Sequence, residues 1–382
     1  MADGCSSIRE ELKPILYLVE SKAHAADKLS QPDLEVIKKL AESDLLNLLV
    51  PREYGGRGEP LSVLVEFSET LAFSHGSTAW VAMTCNEEAG IAAAYLPPEN
   101  LKDLWSRQPD VIIAGSGVPH GRAHKVEGGW ELSGRWNFVS GCTSSDKWIL
   151  NSIVQDSSPL QLCFALINAD YSLIEKTWFT SGLRGTGSND VVLHNHFVPY
   201  DSVGVVANHS LPIPETPSYR LPSGLRFPFP KTGIATGLAF RAIHEFKKLC
   251  GTKKPLNSKL ELRNRPDASA AIAKAEALVR SGKTWVTETL HDVWASVAAG
   301  SEVTSERHAL ARLACSWSVQ NSVAAVELIT LSAGSSSNFE TSPLSRLAAD
   351  IRAVAGHFTV GNYQIDTAGR VLLGLDSDDR SF

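Results

Sequence analysis

Two changes of hydrophobic period constrain this chain more than any other feature. From Ile8 to about Arg107 apolar residues recur at helical spacing, as in Leu61, Leu64, Val65, Leu71 and Ala72, which line one helix face. Proline and glycine breaks at Pro51–Pro60 and at Pro97 and Pro98 divide this stretch into separate helices. At Val111 the pattern becomes short runs rich in Val, Ile, Trp and Phe, with two-residue alternation around Trp130 to Phe138 and turns at Glu127-Gly128-Gly129 and Ser133-Gly134. After a proline-rich crossing from Leu211 to Pro230 the helical period returns, over Thr232–Cys250, Asp267–Ala299, about Ser305–Ser332 and Ser345 to about Leu373. Within the third of these, Leu310, Leu313, Ala314, Trp317, Ala324, Leu328 and Leu331 share one side. Side chains that alternate across a strand cannot also line one helix face, so the chain reads as α+β. The expected domains are an N-terminal helical one (1–109), a central β one (110–207) and a C-terminal helical bundle (208–382).

Composition removes several function classes. With 42 acidic against 36 basic residues the net charge is −6, which offers no basic face for a phosphate backbone. No apolar run reaches membrane-spanning length; even the Ala-rich stretch from Ala268 is broken by Lys274, Glu276 and Arg280. Glu10, Glu11 and Lys13 stand where a secretory leader would need an unbroken apolar core, so a cytoplasmic protein is expected. The six cysteines (Cys5, Cys85, Cys142, Cys163, Cys250 and Cys315) form no Cys-x-x-Cys pair and have no histidine at ligand spacing, which argues against a zinc site or a disulfide framework.

Four segments bear on chemistry. Val111–Gly121 (VIIAGSGVPHG) resembles a strand followed by a phosphate-binding glycine loop, but the spacing is one residue too long and no helix follows, so a dinucleotide fold is not supported. The same loop, with Ser116, exposes backbone N–H groups against which a flat cofactor could lie; an ordinary turn explains it as well. Arg135–Cys142 (RWNFVSGC) places Trp136, Phe138 and Ser140 on one strand face, where they could stack on an isoalloxazine ring and hydrogen-bond it; core packing explains the aromatics as well. Gly182–Val191 (GLRGTGSNDV) is dense in glycine and hydroxyls, which turn chemistry alone accounts for. His357 follows Asp350, Ala353 and Val354 at helical spacing, where a lone histidine is usually a satisfied core residue.

Taken in order, WNFVSGC, GLRGTGSNDV and a final helix carrying His357 resemble the acyl-CoA dehydrogenase superfamily over nearly the whole chain. YGG at Tyr54–Gly56, GSTAW at Gly76–Trp80, VEGG at Val126–Gly129, SGC at Ser140–Cys142, TGS at Thr186–Ser188 and GRVLLG at Gly369–Gly374 point to its two-component flavin monooxygenase branch, similar to 4-hydroxyphenylacetate hydroxylase oxygenase components and indole oxygenases. Dehydrogenases of the superfamily carry a glutamate base near the chain end. The matching stretch here, Ala355–Asn362 (AGHFTVGN), has His357 and Phe358 instead. One departure is Ala349-Asp350, where the family often has an Arg-Asp pair; it keeps the carboxylate and removes the cation.

The resemblance implies an acyl-CoA dehydrogenase-like fold with a central β-barrel-like domain and a C-terminal four-helix bundle. It implies reduced flavin, FADH2 or FMNH2, delivered by a separate NAD(P)H:flavin reductase, and O2 forming a C4a-hydroperoxyflavin that hydroxylates a small aromatic such as a phenol or indole. It assigns catalysis to His357 and Ser140, the latter bonded to flavin N5, and cofactor contacts to Ser116, Val118, Trp136, Phe138, Ser140 and Arg263. A homotetramer, a dimer of dimers, is expected. The alternatives are an FAD-dependent acyl-CoA dehydrogenase with a displaced base and a non-catalytic scaffold that has lost flavin.

Overall fold

The computed structural model describes residues 3–206, 216–256 and 258–379, so part of the proline-rich crossing lies outside the described residues. The chain begins with helices α1 (Asp3–Leu29), α2 (Leu34–Glu42), α3 (Leu61–Ser74), α4 (Gly76–Tyr95) and α5 (Pro98–Arg107). Strands follow: β1 (Ile113–Val126), β2 (Gly129–Val139), β3 (Lys147–Val154), β4 (Gln161–Asn168), β5 (Ile174–Glu175), β6 (Asn189–Pro199) and β7 (Val203–Val205). The rest is helical: α6 (Ser223–Arg226), α7 (Pro228–Thr252), α8 (Pro266–Ala298), α9 (Ser305–Ala333), α10 (Pro343–Ala355) and α11 (Tyr363–Leu372). No helix among the described residues is long and apolar enough to cross a membrane.

Local chemistry sets the boundaries. Asp33 caps α2 by accepting the Val36 N–H, Pro266 opens α8 where its missing donor costs nothing, and Thr304 caps α9 through the Arg307 N–H. Helix α4 is small or apolar nearly all round and is correspondingly buried on every side. Its neighbour α7 packs against α3 at Gly237, where an added Cβ would stand 2.4 Å from the Glu69 carbonyl oxygen. One continuous core joins α1, α3 and α4 to the C-terminal helices through residues such as Phe67, Leu238, Val279, Cys315 and Ile351.

The sheet is mixed, in the order β5-β6-β2-β1-β3-β4-β7; every pairing is antiparallel except that of β1 with β3. Its own core gathers Trp136, Trp148, Leu132, Cys142 and Leu193. Opposite β3 the register of β1 slips between Ser116 and Gly121, so residues 117–120 leave the ladder and bulge out.

Three expectations from the sequence are corrected. The last helix is not continuous: α10 ends before Gly356 and α11 begins at Tyr363. The carbonyls of Val360 and Gly361 accept the Ser316 hydroxyl from α9 and the Phe358 carbonyl accepts the Gln364 amide, so side chains satisfy this turn. Trp136 and Phe138 do not share a face either. Phe138 has φ +60° and the β2–β6 register shifts between Trp136 and Val139, so Trp136 is fully buried while Phe138 is exposed. Finally, α9 buries the small and polar residues Ala311, Cys315, Ser318, Ser322 and Ala325, whereas Trp317 (48% exposed) and Leu331 (79%) on the anticipated apolar side face outward.

Candidate active site

A cavity of about 460 Å³ opens where α4, the bulged end of β1, the end of β2, the Leu183–Ser188 turn, the start of α7 and the loop after α10 meet. Its walls are largely aromatic, with Trp80, Phe138, Trp178, Phe227 and Phe358. The bulge contributes Ser116, Gly117 and Val118. Ser116 donates its hydroxyl to the Asn137 carbonyl and Asn151 donates its amide to the Gly117 carbonyl, which fixes the bulge on both sides.

Ser140 ends a directed chain of hydroxyls. The Thr186 hydroxyl donates to the Leu183 carbonyl at 2.8 Å, so its oxygen accepts from Ser188 at 2.7 Å, and Ser188 in turn accepts from Ser140 at 2.8 Å. The Trp80 indole N–H donates to Ser140 at 3.2 Å. Ser140 therefore has its hydrogen engaged and one lone pair left, so toward the cavity it is an acceptor. The turn carrying Thr186 and Ser188 is pinned from below: Asp350 accepts the Leu183 N–H at 2.7 Å, and Asp27 accepts the Gly185 N–H and the Ser77 hydroxyl, each at 3.1 Å. Burial, and then the Asp27 charge, pushes the Asp350 carboxyl up to about 6.

His357 enters from the loop after α10, not from a helix. Its Nδ1 accepts the Thr359 N–H at 3.3 Å and lies 2.9 Å from the Thr359 hydroxyl, which leaves the ring hydrogen on Nε2. Trp80 meets the ring edge-on with centroids 5.3 Å apart. Burial, then the charge of Lys231, lowers the imidazole well below its ordinary range, so the ring is neutral near pH 7.

Facing His357 is a group of ionisable side chains that the sequence reading did not single out. Lys231, only 2% exposed, donates to both Glu87 carboxylate oxygens at 2.9 and 3.0 Å and to the Phe227 carbonyl at 3.1 Å. Burial pushes Glu87 above its ordinary range, opposed by Lys231. Among the described residues Glu88 has no side-chain hydrogen-bond partner, and its Oε2 is shut off from solvent. An added Cβ at Gly115 would stand 2.7 Å from that oxygen, so a side chain there would push Glu88 aside. Burial, with help from the Glu87 charge and opposition from Lys231, pushes the Glu88 carboxyl up to about 8.

Of the residues singled out from the sequence, Ser116, Val118, Phe138, Ser140 and His357 line this cavity. Trp136 does not: its indole donates to the Asn151 carbonyl inside the sheet core. Arg263 does not either; it lies on the Leu262–Asn264 turn, 59% exposed and paired with Glu261. Glu87, Glu88 and Lys231 carry a signal in the sequence: the first two are a lone charged pair, and the third a lone charge, in otherwise uncharged apolar helix segments.

Known proteins share this architecture and sequence. The family described as acyl-CoA dehydrogenase, C-terminal domain, matches residues 232–362. Indole-3-acetate monooxygenase of Acinetobacter baumannii is 31% identical over 349 residues, spanning 89% of this chain and 87% of that protein. The FADH2-dependent resorcinol hydroxylase, oxygenase component, of a Rhizobium species is 28% identical over 389 residues, spanning 94% of this chain and 92% of that protein. The crystal structure of the 3-HSA hydroxylase of a Rhodococcus species superposes with a TM-score of 0.89 over 98% of both chains at 25% identity.

Proposed function

From the premise that the chain belongs to the two-component flavin-dependent monooxygenases of the acyl-CoA dehydrogenase fold, we propose that the cavity between Ser140 and His357 is its oxygenation site and takes a small aromatic ring. The observation that carries this reading is the polarity of Ser140. Reduced flavin presents an N5–H donor, and Ser140 offers one free acceptor lone pair, its hydrogen being held by Ser188. The bulge at Ser116–Val118 and the aromatic walls at Trp80 and Phe138 suit a flat cofactor, so these residues fit the group and would hold it. Bound reduced flavin supplies the electrons with which one atom of O2 enters the substrate and the other leaves as water.

The chain's own residues then have defined tasks. Ser140 keeps a proton at the flavin nitrogen by accepting from it, and Ser188 and Thr186 keep Ser140 turned that way. Trp80, Phe138, Trp178 and Phe358 exclude water from the reacting atoms. His357, neutral and carrying its hydrogen on Nε2, offers one donor to a developing oxygen charge. A dehydrogenase needs a free ionised carboxylate over the same cavity; of the two carboxyls there, Glu87 has both oxygens engaged by Lys231 and Glu88 is held protonated near pH 7.

Anaerobic addition of reduced FAD to the pure protein, followed by 18O2 and an aromatic substrate, tests the reading: product should carry one labelled oxygen. Failure to bind reduced flavin would overturn it. Ser140→Ala should raise hydrogen peroxide released per product about fivefold, since a hydrogen bond worth about 1 kcal/mol is lost. An unchanged ratio would remove Ser140 from this role.

The partner that fits is a separate NAD(P)H:flavin reductase, which the words "oxygenase component" in a relative's name support, and a cytoplasmic setting would supply its nicotinamide. The outward stripe of Trp317 and Leu331 on α9 supports self-association into a dimer of dimers. Light scattering should give four times the 41.3 kDa chain mass; a monomer at micromolar concentration would refute it.

A further inference from the structure

Resting on the monooxygenase reading of this cavity, we infer that Glu88 is a specificity-determining residue. It selects an uncharged aromatic substrate that donates a hydrogen bond from a ring N–H or O–H, and the cavity rejects rings that carry a carboxylate. The argument is a count of charges and hydrogen-bond capacity. Among the described residues the cavity wall holds one permanent cation, Lys231, and all three of its N–H groups are already engaged by Glu87 and the Phe227 carbonyl. Arg226 is not part of this wall; it lines a neighbouring cleft of about 20 Å³ that shares Glu87, Ile91 and Phe227 with the cavity. The remaining carboxyl of the wall is that of Glu88, to which no hydrogen bond is made among the described residues; its Oε2 is shut off from solvent, which leaves Oε1 as the oxygen that a ligand can meet. A ring N–H or O–H reaching it would supply the missing partner.

A substrate carboxylate meets the opposite situation. It can take the Glu88 proton into a shared hydrogen bond, but one net negative charge then stays in an aromatic cavity beside Glu87, and among the described residues of the wall no cation is free to balance it. The neutral state of Glu88 near pH 7 follows from its burial and from the neighbouring Glu87 charge. His357 adds a single neutral donor and no positive charge. The chain thus departs in substrate class from the indole-3-acetate monooxygenase to which it is similar.

The test is calorimetric titration of the full chain at pH 7 with indole and with indole-3-acetate, once alone and once anaerobically with reduced FAD present. Indole should bind at least about tenfold more tightly, the scale on which sites that leave a buried charge or polar group unpaired discriminate. Glu88→Gln, which keeps a carbonyl acceptor at the same place, should retain the preference, whereas Glu88→Leu should weaken indole about tenfold. Equal or tighter binding of indole-3-acetate, no measurable indole binding in either state, or an indole affinity unchanged by Glu88→Leu each overturns the proposal. Failure of reduced FAD to bind would count against the monooxygenase reading instead, and the ratio measured on the protein alone would still judge Glu88.

Discussion

Replacing His357 by alanine is expected to lower coupled hydroxylation by about two to four orders of magnitude, the usual scale for a positioned proton donor or acceptor. Oxidation of reduced flavin should continue, with hydrogen peroxide as its product. The expectation rests on three features: the ring lines the cavity, its Nδ1 is held by Thr359, and its Nε2 hydrogen has no partner among the described residues. A purely structural histidine would have both nitrogens engaged. The competing account is that His357 only packs against Trp80 and Phe358, in which case the variant melts earlier but its folded fraction works normally. Melting temperature measured beside product formed per flavin oxidised separates the two; a less stable but fully coupled variant would sink the catalytic role. The depressed pKa adds a signature with a definite sign. In the unfolded chain the imidazole takes up a proton below about 6.5, while in the folded protein it resists until a lower pH. The stability His357 contributes is therefore present above about pH 6.5 and is lost as pH falls from there toward its lowered folded value. His357→Ala should flatten that part of the stability profile.

The succession of helices, sheet and helices was legible because a change of hydrophobic period is a local property of sequence. The turn at Gly356–Asn362 was not. The residues from Asp350 through Val354 keep helical spacing up to the break, and the turn beyond it is held by the Ser316 hydroxyl, 44 positions away, which donates to the Val360 carbonyl. The outward side of α9 was misjudged for a related reason. Large apolar residues usually mark the core, yet close approach of α8 at Gly282 to Ser318 selects small side chains there and leaves Trp317 outside. At Phe138 strict alternation failed because one left-handed residue rotates the strand. Ser140 and His357 were legible through family resemblance more than through pattern. The buried charges opposite them needed a different question, namely what a lone Glu-Glu pair does inside an apolar helix.

That question leads to the largest stability effect expected of this site. Lys231→Met should destabilise the fold by about 3–5 kcal/mol, because it leaves Glu87 buried with no cation, and breaking one side of a buried pair costs far more than the pair contributes when intact. Methionine fills most of the volume of the lysine stem, so the cost is electrostatic rather than a cavity. The double variant Glu87→Gln/Lys231→Met removes both charges together and should recover to within about 1 kcal/mol of the parent. Urea unfolding of the four proteins of this cycle measures the coupling. Equal midpoints for the parent and Lys231→Met would show that the pair carries no electrostatic load, and a double variant no better than the single would assign the loss to packing. The cycle also reaches His357. Lys231 is the second cause, after burial, of its lowered pKa, so in the double variant the imidazole should rise part of the way back toward its ordinary value. The acid limb of the pH–activity profile should then move to higher pH, while the burial of the ring keeps it from reaching the value of an exposed histidine.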